Sequence, residues 1–265
     1  MLTPEELDRL RVVLVSTRNP LNIGAAARAM SNFGFMHLRV VNPYEAAFRE
    51  ARSAVGASAL LAGAQEYAKV AEAVADCTLV VGTTAVGIRE LHHSLRRLES
   101  GAKLIRKHLA SGRVALLFGS EKIGLTNQQL SHCHWLMRIP TRGEHISMNL
   151  GQAVAVCLYE LIRNSNPAAY SQNDQGRVIG EGKRKTGAVG SRDRFPAGSG
   201  EVERITVKLI DALQASGYVN PAAATDEKVR RLVRRLQLQA HDVETWLGIL
   251  RQLTWKMGSG GRAEE

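Results

Sequence analysis

Asn22, Arg28, Glu121, Ser147 and Asn149 lie in three short stretches, each just past an apolar run with strand character. A loop between a strand end and a helix N-terminus is where a parallel α/β sheet usually holds its ligand. In Asn22-Ile-Gly-Ala-Ala-Ala-Arg28 the asparagine can cap a helix, and Gly24 permits close approach to its first turn. The guanidinium of Arg28, nearly two turns in, suits a phosphate or a hydroxyl. An amphipathic helix would equally explain Arg28 as a surface residue. Phe118-Gly-Ser-Glu-Lys-Ile-Gly-Leu-Thr-Asn127 places Gly119 for backbone approach, Gly124 for a tight turn, and Glu121 where a core loop needs no acid. Thr83, Thr84 and Ala85 end another strand in small residues, so three such loops converge on one ligand. Ser147 reads as the N-cap of a long apolar helix.

Several chemistries are excluded. No G-K-[ST] follows Gly119 at P-loop spacing, and no G-x-G-x-x-G follows any strand. There is no G-x-S-x-G elbow for a hydrolase. His92-His93 and His132-Cys133-His134 lack zinc spacing, so no metal is expected.

The positioning elements follow from pattern. Thr3-Pro4-Glu5-Glu6 is a capping box opening a short helix. Strands are expected at Val12–Val15, Leu38–Val41, Thr78–Val81, Val114–Phe118 and Trp135–Ile139. Helices are expected at Asn22–Phe33 and Lys103–Leu109, as two or three short pieces within Ala46–Ala75, and over 147–163. Alternating strands and helices give a parallel sheet covered on both faces. Residues 165–200, rich in Gly, Ser, Asn, Lys and Arg, read as a flexible basic linker. Three helices then repeat apolar residues at helical spacing. The second carries Lys228, Arg230, Arg231, Arg234 and Arg235, read either as a nucleic-acid surface or as an ordinary solvated face. The expected units are 1–164, the linker 165–200, a helical unit 201–257 and a disordered tail 258–265.

The 265 residues carry a net charge of +10, which favours a polyanionic partner, nucleic acid before membrane. Three cysteines without a C-x-x-C pair argue for a reducing compartment. Met1–Arg11 lacks the apolar run of a signal peptide, and no stretch is long enough to span a bilayer, so a cytoplasmic protein is expected.

Taken in order, Asn22-x-Gly24-x-x-x-Arg28, Phe118-Gly-x-Glu121-x-x-Gly124-Leu125 and Ile139-Pro140 with Ser147-x-Asn149-Leu150 resemble the SpoU branch of the SPOUT RNA methyltransferases. Gly124-Leu-Thr-Asn127 and the helical C-terminus are similar to the TrmJ-type tRNA 2′-O-methyltransferases. The resemblance implies an α/β fold with a C-terminal trefoil knot, S-adenosylmethionine as cofactor, and a homodimer whose composite site takes Arg28 from one subunit. It implies a cofactor pocket at Thr83, Thr84, Ala85, Gly119, Ile139, Ile146, Ser147, Met148 and Leu150. Arg28 would orient a ribose 2′-hydroxyl, Ser147 would hydrogen-bond it or hold Arg28, Asn22 and Glu121 would position the loops, and Asn149 would brace the knot. Ser120, where relatives often carry Arg, and the Thr141–His145 loop depart from the pattern. The implied substrate is nucleotide 32 of a tRNA anticodon loop. Ribosomal RNA methylation and noncatalytic RNA binding on the same fold are the alternatives.

Overall fold

The computed structural model describes residues 2–53, 59–85, 93–142, 147–163, 195–218 and 225–260. Most of the expected linker, the end of the tail, His92 and Ile146 lie outside them. The capping box forms as expected: Thr3 Oγ1 accepts from Glu6 N, and helix α1 (Pro4–Asp8) leads into β1 (Leu10–Val15). Then follow α2 (Pro20–Asn32), β2 (Leu38–Val41), α3 (Glu45–Ser53), α4 (Ala59–Ala62), β3 (Gln65–Tyr67), α5 (Val70–Ala73), β4 (Leu79–Thr83), β5 (Leu95–Arg97) and α6 (Leu98–Leu109). The sheet unit closes with β6 (Val114–Phe118), α7 (Asn127–Leu130), β7 (Trp135–Arg138) and α8 (Leu150–Ile162).

The seven strands form one parallel sheet in the order β3-β2-β1-β6-β4-β7-β5. Two of them, β3 and β5, were not expected. Each has three residues and no fully buried side chain, so neither shows the apolar run of a central strand. Both sheet faces are covered, because alternate side chains of β1 go to opposite cores. Leu10, Val12 and Leu14 pack with α2, α6 and α8, while Val13 and Val15 pack with Val70, Val74 and Leu130. Register Leu14↔Phe118 between β1 and β6 brings the loops after these strands side by side.

Two helix starts differ from the sequence reading. Asn19, not Asn22, caps α2, accepting from Leu21 N at 2.9 Å with Pro20 in the first turn. Asn149, not Ser147, caps α8, accepting from Gly151 N at 2.9 Å and Gln152 N at 3.4 Å. In both helices an asparagine closer to the first apolar turn, or one followed by proline, displaces the expected cap. Gly24 has room around it. A side chain there would meet open space, whereas a Cβ on Gly151 would lie 2.6 Å from that of Ala25, so α2 and α8 approach through Gly151.

Three further helices, α9 (Ser199–Ala215), α10 (Thr225–Arg235) and α11 (Val243–Gly260), share a separate apolar cluster around Val202, Ile205, Val233 and Leu250. Helix α9 opens inside the stretch read as linker, and α11 runs into the stretch read as tail. The start of α9 is tied to the sheet unit by Ser199 N donating to Cys77 O at 2.8 Å and Gly200 N to Ala75 O at 2.9 Å.

The basic face of α10 is partly turned inward. Arg234 is 3% exposed and Arg230 is largely buried, both against Glu203 of α9. Arg230 donates to both Glu203 oxygens and to Ser131 Oγ at 3.3 Å, while Arg234 donates to Ser199 Oγ at 3.3 Å. Burial pulls Arg234 down to about 10, partly offset by Glu203. These two arginines hold helices together, leaving Lys228 and Arg235 as the cations of that helix without a bonded partner among the described residues. Breaking a buried pair leaves an uncompensated charge, at about 3–5 kcal/mol. Glu203→Gln is therefore expected to destabilise the protein by roughly that amount, read as a lower midpoint in chemical unfolding; an unchanged midpoint would remove Glu203 from the docking of these helices.

Candidate active site

The loops after β1, β6 and β7 meet at the C-terminal edge of the sheet through one chain of hydrogen bonds. Glu121 Oε1 accepts from Asn19 N at 3.2 Å and Asn22 Nδ2 at 3.1 Å, and Oε2 accepts from Arg18 N at 3.2 Å. Asn22 passes the chain on, its Oδ1 accepting from Asn149 Nδ2 at 2.8 Å. Asn149 in turn caps α8, so residues from three separate motifs are locked by side chains that each donate or accept in a fixed sense. Burial pushes the Glu121 carboxyl up. Its own backbone N–H, Asn22 and the N–H groups of Arg18 and Asn19 outweigh that and hold it below its ordinary value.

The β6 loop turns back on itself. Gly124 has φ +67° and donates to Ser120 O at 2.8 Å. A Cβ on Gly119 would lie 2.1 Å from the Gly124 carbonyl carbon, so only glycine closes this turn. Beside it, Thr83 Oγ1 donates to Leu117 O at 2.8 Å and Thr84 N to Met137 O at 3.0 Å, tying the end of β4 to both neighbours.

A cavity of about 650 Å³ lies over the ends of β6, β4 and β7. Thr83, Thr84, Ala85, Gly119, Ile139, Met148 and Leu150 line it, as do Asn22, Glu121, Ser147 and Asn149. The volume falls in the range that holds a cofactor-sized molecule. Phe118 and Leu125 of the second motif and Met137, which was not singled out from sequence, also line it; all three are buried core residues. Lys122 and Ile123 were missed as well, and their exposed position beside Glu121 is the signal that marks them.

Ser147 is exposed at the cavity and has no hydrogen bond among the described residues, which leaves its hydroxyl available. Arg28 is placed differently. It is exposed on α2, lines no part of this cavity and has no bonded partner among the described residues. It lies six positions beyond Asn22, or about 9 Å along the helix. Among the described residues no group of three His, Cys, Asp or Glu could hold a metal ion, and no helix is long and apolar enough to cross a membrane.

A cavity bound by glycine turns and amide caps at the C-terminal edge of a parallel sheet defines an α/β ligand-binding protein whose site is built from loops after adjacent strands. The chain belongs to the SpoU rRNA Methylase family, whose sequence profile matches residues 9–159. It is 32% identical over 248 residues to the tRNA (cytidine/uridine-2′-O-)-methyltransferase TrmJ of Sodalis glossinidius (strain morsitans), covering 92% of this chain and 91% of that one. It is 32% identical over 261 residues to the TrmJ of Escherichia coli (strain K12), covering 97% and 100%. The crystal structure of TrmJ from Z. mobilis ZM4 superposes with a TM-score of 0.73 at 29% identity, over 92% of this chain and 98% of that one.

Asn149 has two duties that substitution separates. Asn149→Ala removes the cap and is expected to lower stability by about 1 kcal/mol, the usual value of an N-cap. Asn149→Asp keeps the cap acceptor but sets a second acceptor against Asn22 Oδ1, so it should recover the cap while its thermal midpoint stays below wild type. Equal midpoints for Asn149→Ala and wild type would show that the cap contributes nothing.

Proposed function

We propose that this chain is an S-adenosylmethionine-dependent tRNA 2′-O-methyltransferase acting on cytidine or uridine at nucleotide 32 of the anticodon loop. The observation that carries the reading is the junction of Asn22, Glu121 and Asn149 at one cavity. Likeness over nearly the whole chain to tRNA (cytidine/uridine-2′-O-)-methyltransferases supports the substrate class.

The residues present fit the cofactor. Phe118, Met137, Ile139 and Leu150 offer an apolar slot for a purine, and the glycine turn at 119–124 presents backbone to polar edges. Glu121 supplies negative charge beside a site meant for a sulfonium, and Lys122 is the one cation lining the cavity among the described residues. When bound, S-adenosylmethionine supplies an electrophilic methyl group. The chain must align a 2′-hydroxyl with it and ease loss of the hydroxyl proton, and alignment alone removes several kcal/mol of barrier.

Arginine side chains do not deprotonate in proteins, so Arg28 acts as a donor and not as a base. It orients the hydroxyl and adjacent phosphate and stabilises developing alkoxide charge. Since Arg28 lies away from the cavity of its own subunit, it serves the cavity of a second copy in a homodimer. Ser147, with a free hydroxyl at the cavity, hydrogen-bonds the ribose hydroxyl or holds the incoming Arg28. Asn22 and Glu121 keep the loops in register for both. In the same reading the segment from Ile139 into α8 is the threaded part of a trefoil knot braced by Asn149, Ile146 joins the cofactor pocket, and residues 1–164 form the catalytic domain. The linker ends before α9, and the helices from Ser199 to Gly260 form a domain that adds tRNA contacts, all in the cytoplasm with the substrate.

Arg28→Ala is expected to retain S-adenosylmethionine affinity by calorimetry and to lose about 10²–10³-fold in kcat, the range for removing one donor to a developing anion. Undiminished turnover would take Arg28 out of the mechanism.

A further inference from the structure

The arginines of the sheet unit differ between its two edges. At the edge where the strands begin, all are tied. Arg9 donates to the carbonyls of Leu109 and Ala110 at 2.9 and 2.7 Å, ending α6. Arg39 grips both oxygens of Asp76, and Arg113 and Arg11 lie 3.4 and 3.9 Å from the same carboxylate. At the edge where the strands end, Arg97 pairs with Glu99, but the side chains of Arg18, Lys122, Arg138 and Arg142 make no hydrogen bond or ion pair among the described residues.

Glu121 is the acid that should neutralise Arg18 and Lys122, since it is joined to the first through a backbone N–H and precedes the second in sequence. Its oxygens are instead committed to the N–H groups of Arg18 and Asn19 and to Asn22 Nδ2. The carboxylate thus fixes the backbone of both loops while leaving their cationic side chains exposed. Lys122 lines the cavity, and the exposed Ile123 next to it offers an apolar surface at the same opening. A guanidinium and an ammonium on two hydrogen-bonded loops, without a partner carboxylate, suit a phosphate.

We propose that Arg18 and Lys122 together bind the backbone phosphate flanking the ribose presented at this cavity, and so set which nucleotide of the RNA strand reaches it. The inference rests on reading the cavity as an RNA-methylating site. The two residues are positioning groups, bound equally to substrate and transition state, so their loss acts on KM more than on kcat. Each phosphate contact also adds to the salt dependence of RNA binding, by about one unit in the slope of log K against log salt.

The test uses the full chain as wild type, Arg18→Ala with Lys122→Ala together, Arg18→Lys, and Lys107→Ala as an exposed control near the opposite edge. An unmodified tRNA transcript is the probe in both binding titrations across salt and steady-state methylation. For the double variant we expect KM to rise about tenfold, the salt slope to fall by about one because the two cations share one phosphate, and kcat to stay within about twofold. Arg18→Lys should keep the wild-type slope, and Lys107→Ala should match wild type. Thermal midpoints should be equal throughout, because all these side chains are exposed. A double variant with the wild-type slope and KM overturns the proposal. If wild type binds tRNA without methylating it, the slopes still decide the two contacts, and only the reading of the cavity as catalytic fails.

Discussion

One carboxylate holds the working edge of this protein together. Glu121 stands on the loop after β6 and collects N–H donors from the loop after β1 and the side chain of Asn22. Asn22 then reaches the cap of α8, and α8 is the helix that packs on α2 through Gly151. An ionised carboxylate accepts only, so donors can face it from several sides without conflict. The neighbouring amides have a fixed direction, Nδ2 toward Glu121 and Oδ1 toward Asn149. The cavity between β6, β4 and β7 keeps its walls because these loops cannot move separately.

The charge of the chain is used in two distinct ways. Arginines at the start of the strands, and Arg230 and Arg234 of α10, are buried or half-buried and close polar gaps between elements. Unpaired cations remain at the end of the strands and on the outer face of α10, and others, Arg28 and Lys107 among them, lie elsewhere. Net charge alone does not separate these uses, since a guanidinium that ends a helix and one that waits for phosphate count the same. Only the position of each acid decides, and Asp76, Glu203 and Glu121 are each committed to different partners.

Much of this was legible in the sequence where local rules apply. Leu38–Val41 and Val114–Phe118 form strands with the bounds their apolar runs mark, because both faces of those strands are buried. The short edge strands at Gln65–Tyr67 and Leu95–Arg97 escaped because pairing alone, without burial, defines them. Ser147 and Asn149 are both good caps, and Asn149 prevails because its other end meets Asn22, a contact 127 residues away in sequence. The convergence of Thr83, Gly119 and Ile139 on one cavity followed from strand–loop–helix order, which places all such loops at one sheet edge. The inward turn of Arg230 and Arg234 was not legible, since it depends on Glu203 from another helix and on Ser131 from the sheet unit.

The most direct measurement is transfer of labelled methyl from S-adenosylmethionine to unmodified tRNA transcripts by the wild-type chain, with products mapped by nuclease digestion and mass spectrometry. The account predicts a 2′-O-methylated cytidine or uridine in the anticodon loop, at nucleotide 32. Transfer to ribosomal RNA alone, or cofactor binding without transfer to any RNA, would contradict it.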